Sequence, residues 1–127
     1  MFEGKSESQA RQEILNLVEE YCDRVHAYGG YVAQAHPYRM RPDIDETWQP
    51  FIHCLDGIEV YNACNDDLSN ERARAFCEAN GLIAVAGSDA HSANVTGRAG
   101  IMCRERLRTE QALAQVLRDG DYELYIE

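Results

Sequence analysis

The chain has 127 residues, of which 45% are hydrophobic and 27% charged, so a single soluble globular domain spanning residues 1–127 is expected rather than a disordered tail or a collagen-like repeat. No stretch approaches the roughly 18 consecutive apolar residues that a membrane span needs, and the acidic, polar N-terminus has no apolar segment typical of a signal peptide. Twelve basic against 22 acidic residues give a net charge of −10, which repels phosphate backbones and makes a nucleic-acid partner unexpected.

The N-terminal residues predict a long helix. From position 6 to position 28, apolar residues recur at three- and four-residue spacing, which is typical of an amphipathic helix. Ser6 or Ser8 is a suitable N-cap, and Gly29-Gly30 is a suitable stop. Residues 1–29 are therefore expected to form a leading helical segment ahead of a β/α region over 30–127.

Shorter elements follow in alternation. Residues 31–36 predict a strand that ends at Pro37, a short helix is expected between Asp43 and Leu55, and residues 57–62 predict a second strand. Residues 69–80 then predict a helix, closed by Gly81.

The continuously apolar residues 82–87 favour a parallel strand that is buried on both faces. Another strand is expected over 100–103, followed by a helix that Thr109 caps and Gly120 ends, and by a last strand over 122–126. Strands alternating with helices indicate an α/β fold with a mainly parallel sheet.

The cysteines indicate a reducing compartment. Their number is odd, and no C-x-x-C pair occurs among Cys22, Cys54, Cys64, Cys77 and Cys103. Together with the N-terminus this predicts reduced, mostly buried thiols in a cytoplasmic protein, although one reactive or metal-bound thiol stays an alternative.

Two clusters of polar residues follow predicted strands. His36 lies in the segment AHPYR (35–39), while Asp89 and His91 lie in AGSDAHS (86–92). The carboxyl ends of parallel strands are where α/β proteins build their sites. Residues two apart in extended backbone point the same way, so Asp89 and His91 could hold a metal between carboxylate and imidazole, a mixed N/O ligand set that zinc, iron and manganese accept.

Other polar residues permit two interpretations each. His26 falls near the end of the first helix, where a basic group suits the helix dipole, and it is expected to be structural, as is His53 in the short helix. Glu59 lies in an apolar strand and is costly to bury unpaired, so it is interpreted first as an ion-pair partner inside the barrel and otherwise as a carboxylate that ligates a metal or supports the ligands. Asn62 could be a turn residue or could hydrogen-bond a loop or substrate.

Taken together, AHPYR (35–39), DGIEVYN (56–62) and AGSDAHS (86–92) resemble the C-terminal half of the PHP (polymerase and histidinol phosphatase) family. Members of this family are metal-dependent phosphoesterases on a distorted β/α barrel, so the resemblance implies half of such a barrel, with a mainly parallel sheet and helices packed on one face. It also implies divalent metal ions (Mn, Zn or Fe), with His36, Asp89 and His91 as metal ligands, and a small phosphate ester as substrate. Arg39 would lie beside the site and contact the substrate phosphate, or else form a surface salt bridge.

The family's N-terminal His-x-His motif has no counterpart here, because the histidines of the chain are His26, His36, His53 and His91. Three functional hypotheses follow. The chain is the C-terminal portion of a phosphoesterase that is active when complete, with its N-terminal half elsewhere. Alternatively, it is a non-catalytic metal- or ligand-binding or regulatory module. A homodimer that covers the open face of the half-barrel sheet and brings two sets of ligands together is the third.

Overall fold

The computed structural model describes residues 3–39, 50 and 54–127, and over these it is a mixed α/β structure, as predicted. Its elements in chain order are α1 (Glu7–Ala27), β1 (Ala33–Gln34), β2 (Gly57–Asn62), α2 (Asp67–Asn80), β3 (Ile83–Gly87), a short 3-10 helix (Ala93–Val95), β4 (Ala99–Cys103), α3 (Glu110–Asp119) and β5 (Tyr122–Ile126). The predicted short helix between positions 43 and 55, with His53, lies mostly outside the described residues.

Side-chain caps set the starts of the helices. Ser6 begins α1 in a capping box with Gln9, which satisfies two backbone N–H groups reciprocally. The carboxylate of Asp66 accepts a hydrogen bond from the backbone N–H of Ser69 at 2.7 Å, so α2 begins two residues before the predicted start. Thr109 caps α3 in the predicted manner.

The first three strands form a parallel sheet in the order β1-β2-β3. The two residues of β1 pair with the start of β2, which makes this strand shorter than predicted. On either side of β1, side-chain carboxylates bind the backbone N–H groups. Asp56 accepts a hydrogen bond from the N–H of Val32 at 2.7 Å, and Glu59 accepts one from the N–H of His36 at 2.6 Å. These carboxylates end the strand on both sides.

The last two strands pair with each other in antiparallel fashion, with Cys103 opposite Tyr122. This differs from the mainly parallel sheet that alternating strands and helices predict. Because Tyr122 pairs with the last residue of β4, α3 must return the chain to the end of the sheet where β4 finished. The hydroxyl of Tyr122 donates to the carbonyl oxygen of Ala84 in β3 at 2.5 Å and links the two sheets. Within the described residues the strands do not close into a barrel, so the half-barrel stays a prediction.

The core lies between β2 and α2. Ile58 and Val60 of β2 pack against Cys77 of α2, and burial of these side chains supplies the main stabilisation of the sheet. Side chains alternate along a strand, so Glu59 points to the other face of β2. The pairing of β2 with β3 is irregular between Glu59 and Tyr61, which is the kind of bulge that re-aims side chains near a strand end.

The C-terminal end of α1 is anchored from two sides. His26 lies 2.7 Å from Asp56, between its Nε2 and the carboxylate Oδ2, which agrees with the structural role expected for this histidine. Arg118 of α3 donates to the carbonyl oxygens of Gly29 and Gly30 at 2.8 and 2.7 Å. Nearer its middle, α1 exposes apolar side chains, including Tyr21 at 62%.

The five cysteines are all unpaired. Cys22 and Cys77 are buried while Cys64 is exposed, so the expectation of mostly buried thiols holds for two of them. Burial, with a hydrogen bond that the thiol donates to Cys54, raises the pKa of Cys22 to about 12. Among the helices described, none combines the length and apolar character that a membrane crossing demands.

Candidate functional site at the carboxyl ends of the parallel strands

The polar segments predicted to meet do so at the carboxyl end of the three-stranded sheet. His36 follows β1, Asn62 ends β2 and Asp89 follows β3. Arg39 completes the group, because its guanidinium forms an ion pair with the carboxylate of Asp89. These side chains are spread over more than 50 positions of the sequence and come together because parallel strands end at the same edge.

Asp89 is the centre of this arrangement. Its carboxylate Oδ2 accepts hydrogen bonds from Arg39 Nη2 and from Asn62 Nδ2, the latter at 3.3 Å. The hydrogen bond from Arg39, then that from Asn62, and the neighbouring charge, chiefly that of Arg39, lower the pKa of Asp89, against a smaller opposing effect of burial. The carboxylate is therefore held ionised.

His91 lies beside Asp89, but not for the reason predicted. β3 ends at Gly87, and Asp89 adopts a left-handed backbone with φ of 51°, so the alternation of an extended strand does not apply. The turn brings Nδ1 of His91 to 2.8 Å from the backbone oxygen of Asp89 and to 3.8 Å from its Oδ1. The imidazole is 85% exposed. His36 also has positive φ, at 25°, so backbone strain of the kind that gathers at functional sites occurs at two of the predicted ligands.

The donor chemistry of these residues fits part of a metal site. A carbonyl oxygen only accepts, so Nδ1 of His91 carries the proton in its bond to Asp89, and Nε2 of the neutral ring keeps its lone pair. A ligating histidine is usually oriented in this way. In the described part of the chain, however, no three side chains of His, Cys, Asp or Glu are grouped so as to hold a metal ion, and Oδ2 of Asp89 is already bound by Arg39. Assignment of His36, Asp89 and His91 as ligands stays a prediction.

Glu59 supports the site by hydrogen bonds. Its Oε2 accepts from the backbone N–H of His36 at 2.6 Å and from Nδ2 of Asn62 at 3.1 Å. The ion pair expected for this carboxylate is not among its contacts with described residues. Gly87 faces it closely, because a Cβ at position 87 would lie 2.7 Å from Oε1. The glycine at the end of β3 is thus explained by the approach of Glu59.

Tyr38 fastens the segment that carries Arg39. Its ring is buried and packs edge-on against Phe76 of α2, with 6.1 Å between ring centroids. The guanidinium of Arg72 lies 4.5 Å from the centre of the same ring, a cation–π arrangement. Burial raises the pKa of Tyr38, so the phenol stays neutral. The residue before Arg39 is therefore held firmly against α2.

Two residues that the sequence did not single out belong to this network. Asn65 accepts a hydrogen bond from Nε of Arg39 at 3.2 Å, and its amide donates to Asn70 of α2 at 3.3 Å. A signal was available, because asparagine is a poor helix former that competes with the backbone for hydrogen bonds, and position 70 falls inside a helix. Asn62, left open between a turn residue and a site residue, is only 1% exposed and contacts both Arg39 and Asp89.

Residues 67–122 match a family model described as PHP-associated. No curated protein and no solved structure gives a significant match to the chain. The matched range includes Asp89 and His91 and runs from the start of α2 to the start of β5. The match supports a PHP-family C-terminal region over these residues, in line with the resemblance drawn from the motifs.

Proposed function

We propose, with the PHP-family C-terminal region of residues 67–122 as the premise, that the chain is the C-terminal portion of a metal-dependent phosphoesterase acting on small phosphate esters. The observation that carries this is the meeting of Arg39, Asp89 and the histidine-bearing loops at one edge of a parallel sheet. A guanidinium binds a phosphate ester, and a carboxylate with imidazoles binds a divalent metal, so these side chains together suit both ligands.

Each side chain has a distinct role in this proposal. His36, Asp89 and His91 would hold a divalent ion (Mn, Zn or Fe), which when bound lowers the pKa of water and neutralises charge on the phosphate. Arg39 binds the phosphate: its bonds to Asn65, Asn62 and Asp89 use Nε and Nη2, and a guanidinium has five N–H donors. With respect to the described residues, donors of Arg39 are thus left for an anion, and the positive charge offsets the repulsion that a chain of net charge −10 exerts on it.

The remaining metal ligands would come from outside the residues assigned here. The parallel sheet with α2 on one face is compatible with part of a distorted β/α barrel, whose N-terminal half would carry the other ligands. A second copy of the chain is the alternative source, and it would also cover apolar side chains that α1 exposes. Light scattering on the eluted protein distinguishes these sources, since a dimer is expected only in the second case. Five free thiols accord with the cytoplasmic location predicted above.

One contact favours a second candidate, a non-catalytic module that binds a phosphate-bearing ligand. The guanidinium of Arg39 already compensates the negative charge of Asp89, so the carboxylate has a cationic partner without any metal. A module of this kind would use Arg39 to hold the anion and would carry out no reaction.

The two candidates are separated by metal analysis and turnover on the same preparation. Assayed with its N-terminal half or as the dimer, so that the remaining ligands are present, the phosphoesterase predicts bound metal and hydrolysis of p-nitrophenyl phosphate with added manganese. The rate should fall at least about tenfold in His91→Ala, because about 1.4 kcal/mol of transition-state stabilisation corresponds to tenfold in rate. His26→Gln is the matched control, a histidine at the opposite end of the sheet bound to Asp56. Equal rates for wild type and His91→Ala would refute the phosphoesterase, and phosphate binding without turnover would select the module.

A further inference from the structure

Asn70 clamps the end of β2 through both of its amide atoms. Its Oδ1 accepts the backbone N–H of Asn62 at 3.0 Å, and its Nδ2 donates to the backbone carbonyl oxygen of Asn62 at 3.1 Å. Asn62 is paired with Gly87 of β3 on one side, and the amide of Asn70 satisfies backbone groups of Asn62 that a further strand would otherwise have to pair. Both residues are buried, at 1% exposure for Asn62 and 7% for Asn70.

The clamp continues to the guanidinium of Arg39. Asn65 donates to Oδ1 of Asn70 at 3.3 Å and accepts from Nε of Arg39 at 3.2 Å. Asn62, whose backbone the same clamp holds, accepts through its side chain from Arg39 at 3.5 Å and donates to Asp89 at 3.3 Å. One helix residue therefore contacts both of the residues whose amides face the cation.

We propose that Asn70 is a positioning residue, which sets the guanidinium of Arg39 for anion binding by holding Asn62 and Asn65. The identity of the anion as a phosphate rests on the proposed function, but the positioning does not. Asn70 lies on the helix that also anchors the neighbour of Arg39, Tyr38, through Phe76. Residues of α2 thus stabilise Arg39 at two places, at its backbone through Tyr38 and at its guanidinium through Asn65.

The amide is required at position 70 for chemical reasons. It donates and accepts at the same time, and an aspartate in its place would direct a carboxylate oxygen at the carbonyl oxygen of Asn62. A buried network of this kind stabilises one geometry when every member is satisfied, and loses it when one partner is removed. Alanine at position 70 would remove the acceptor of the buried Asn62 N–H. It would also remove one of the two hydrogen bonds of the Asn62 C=O, which accepts in addition from the backbone N–H of Asn65 at 3.1 Å.

The direct test is the Nε–H signal of Arg39 in ¹H–¹⁵N spectra, assigned by its loss in Arg39→Lys. In the wild type the bond to Asn65 is expected to slow exchange of this proton with water. Asn70→Ala should lose that protection and bind inorganic phosphate about tenfold more weakly. Ala73→Gly is the matched control, because it destabilises the same helix by about 1 kcal/mol at a buried position one turn away. This variant should keep both the protection of the Arg39 Nε–H and the affinity for phosphate.

A second pair of variants keeps the test informative if Asn70→Ala does not fold. Asn65→Ala removes the acceptor that faces Arg39 and should lose the protected signal, whereas Asn65→Asp keeps an oxygen there and should restore it. Protection that persists in Asn70→Ala and in Asn65→Ala would overturn the inference, as would its loss in Ala73→Gly. If the signal behaves as expected while the wild type binds no phosphate, the positioning stands and the proposed function is refuted.

Discussion

Replacing Gly87 by alanine perturbs the site through one contact. The added Cβ would lie 2.7 Å from Oε1 of Glu59, and its next neighbour, Cδ of the same side chain, would be 3.9 Å away. Ordinary contact begins near 3.4 Å, so the carboxylate must move by the difference, about 0.7 Å. Because the obstacle is the end of a side chain, β3 itself can stay in place.

The loss of stability in Gly87→Ala follows from the hydrogen bonds that Glu59 accepts. Its other oxygen accepts from His36 at 2.6 Å and from Asn62 at 3.1 Å, and a displacement of this size breaks at least one of these bonds. A hydrogen bond to a charged group contributes about 1.5–3 kcal/mol, while alanine in a compatible backbone returns about 0.4–1 kcal/mol by restricting the unfolded chain. We therefore expect Gly87→Ala to lower the free energy of unfolding by about 1–2 kcal/mol.

Urea unfolding of a double-mutant cycle tests this reasoning. In a Glu59→Ala background the space is free, and Gly87→Ala should be neutral or slightly stabilising. Gly100→Ala in β4 is the matched control, since a Cβ there meets nothing within 4 Å. An equal loss of stability from Gly87→Ala in both backgrounds would refute the contact with Glu59 as its cause.

Three further changes test other parts of the fold. The hydroxyl of Tyr31 is buried without a hydrogen-bond partner in the described structure, so Tyr31→Phe should raise the free energy of unfolding by about 1 kcal/mol; a decrease would show that the hydroxyl is paired. His26→Ala removes the bond to Asp56 that anchors α1 and should lower this free energy by about 1 kcal/mol in the same urea assay, whereas no change would contradict the anchor. Because the pKa of Cys22 is raised from 9.0 to about 12, the native protein keeps a proton that the unfolded chain loses. Its contribution to stability is present below pH 9 and is lost as the pH rises from 9 towards 12. Cys22→Ala should remove that part of the alkaline slope, and identical slopes for the two proteins would disprove it.

Local signals in the sequence were sufficient for most elements. The apolar periodicity and the caps at Ser6 and Thr109 located α1 and α3, and the unbroken apolar run before Gly87 located β3. These features depend on neighbours a few positions apart, so short-range propensity and capping decide them. The motifs around His36 and Asp89 likewise indicated that two loops would meet at one edge of a parallel sheet.

Contacts between residues that are distant in the sequence could not be predicted from these local signals. Nothing near Arg39 in sequence predicts that its partner is Asp89, or that Asn70 holds the amides that face it. The antiparallel pairing of β4 with β5 also contradicts the local pattern. The net charge of −10, which makes a nucleic-acid partner unexpected, is a sum over the sequence, and so the sequence alone determined it. The cation beside Asp89 was decided by the tertiary structure, because ion pairs and hydrogen bonds depend on distances that only packing sets.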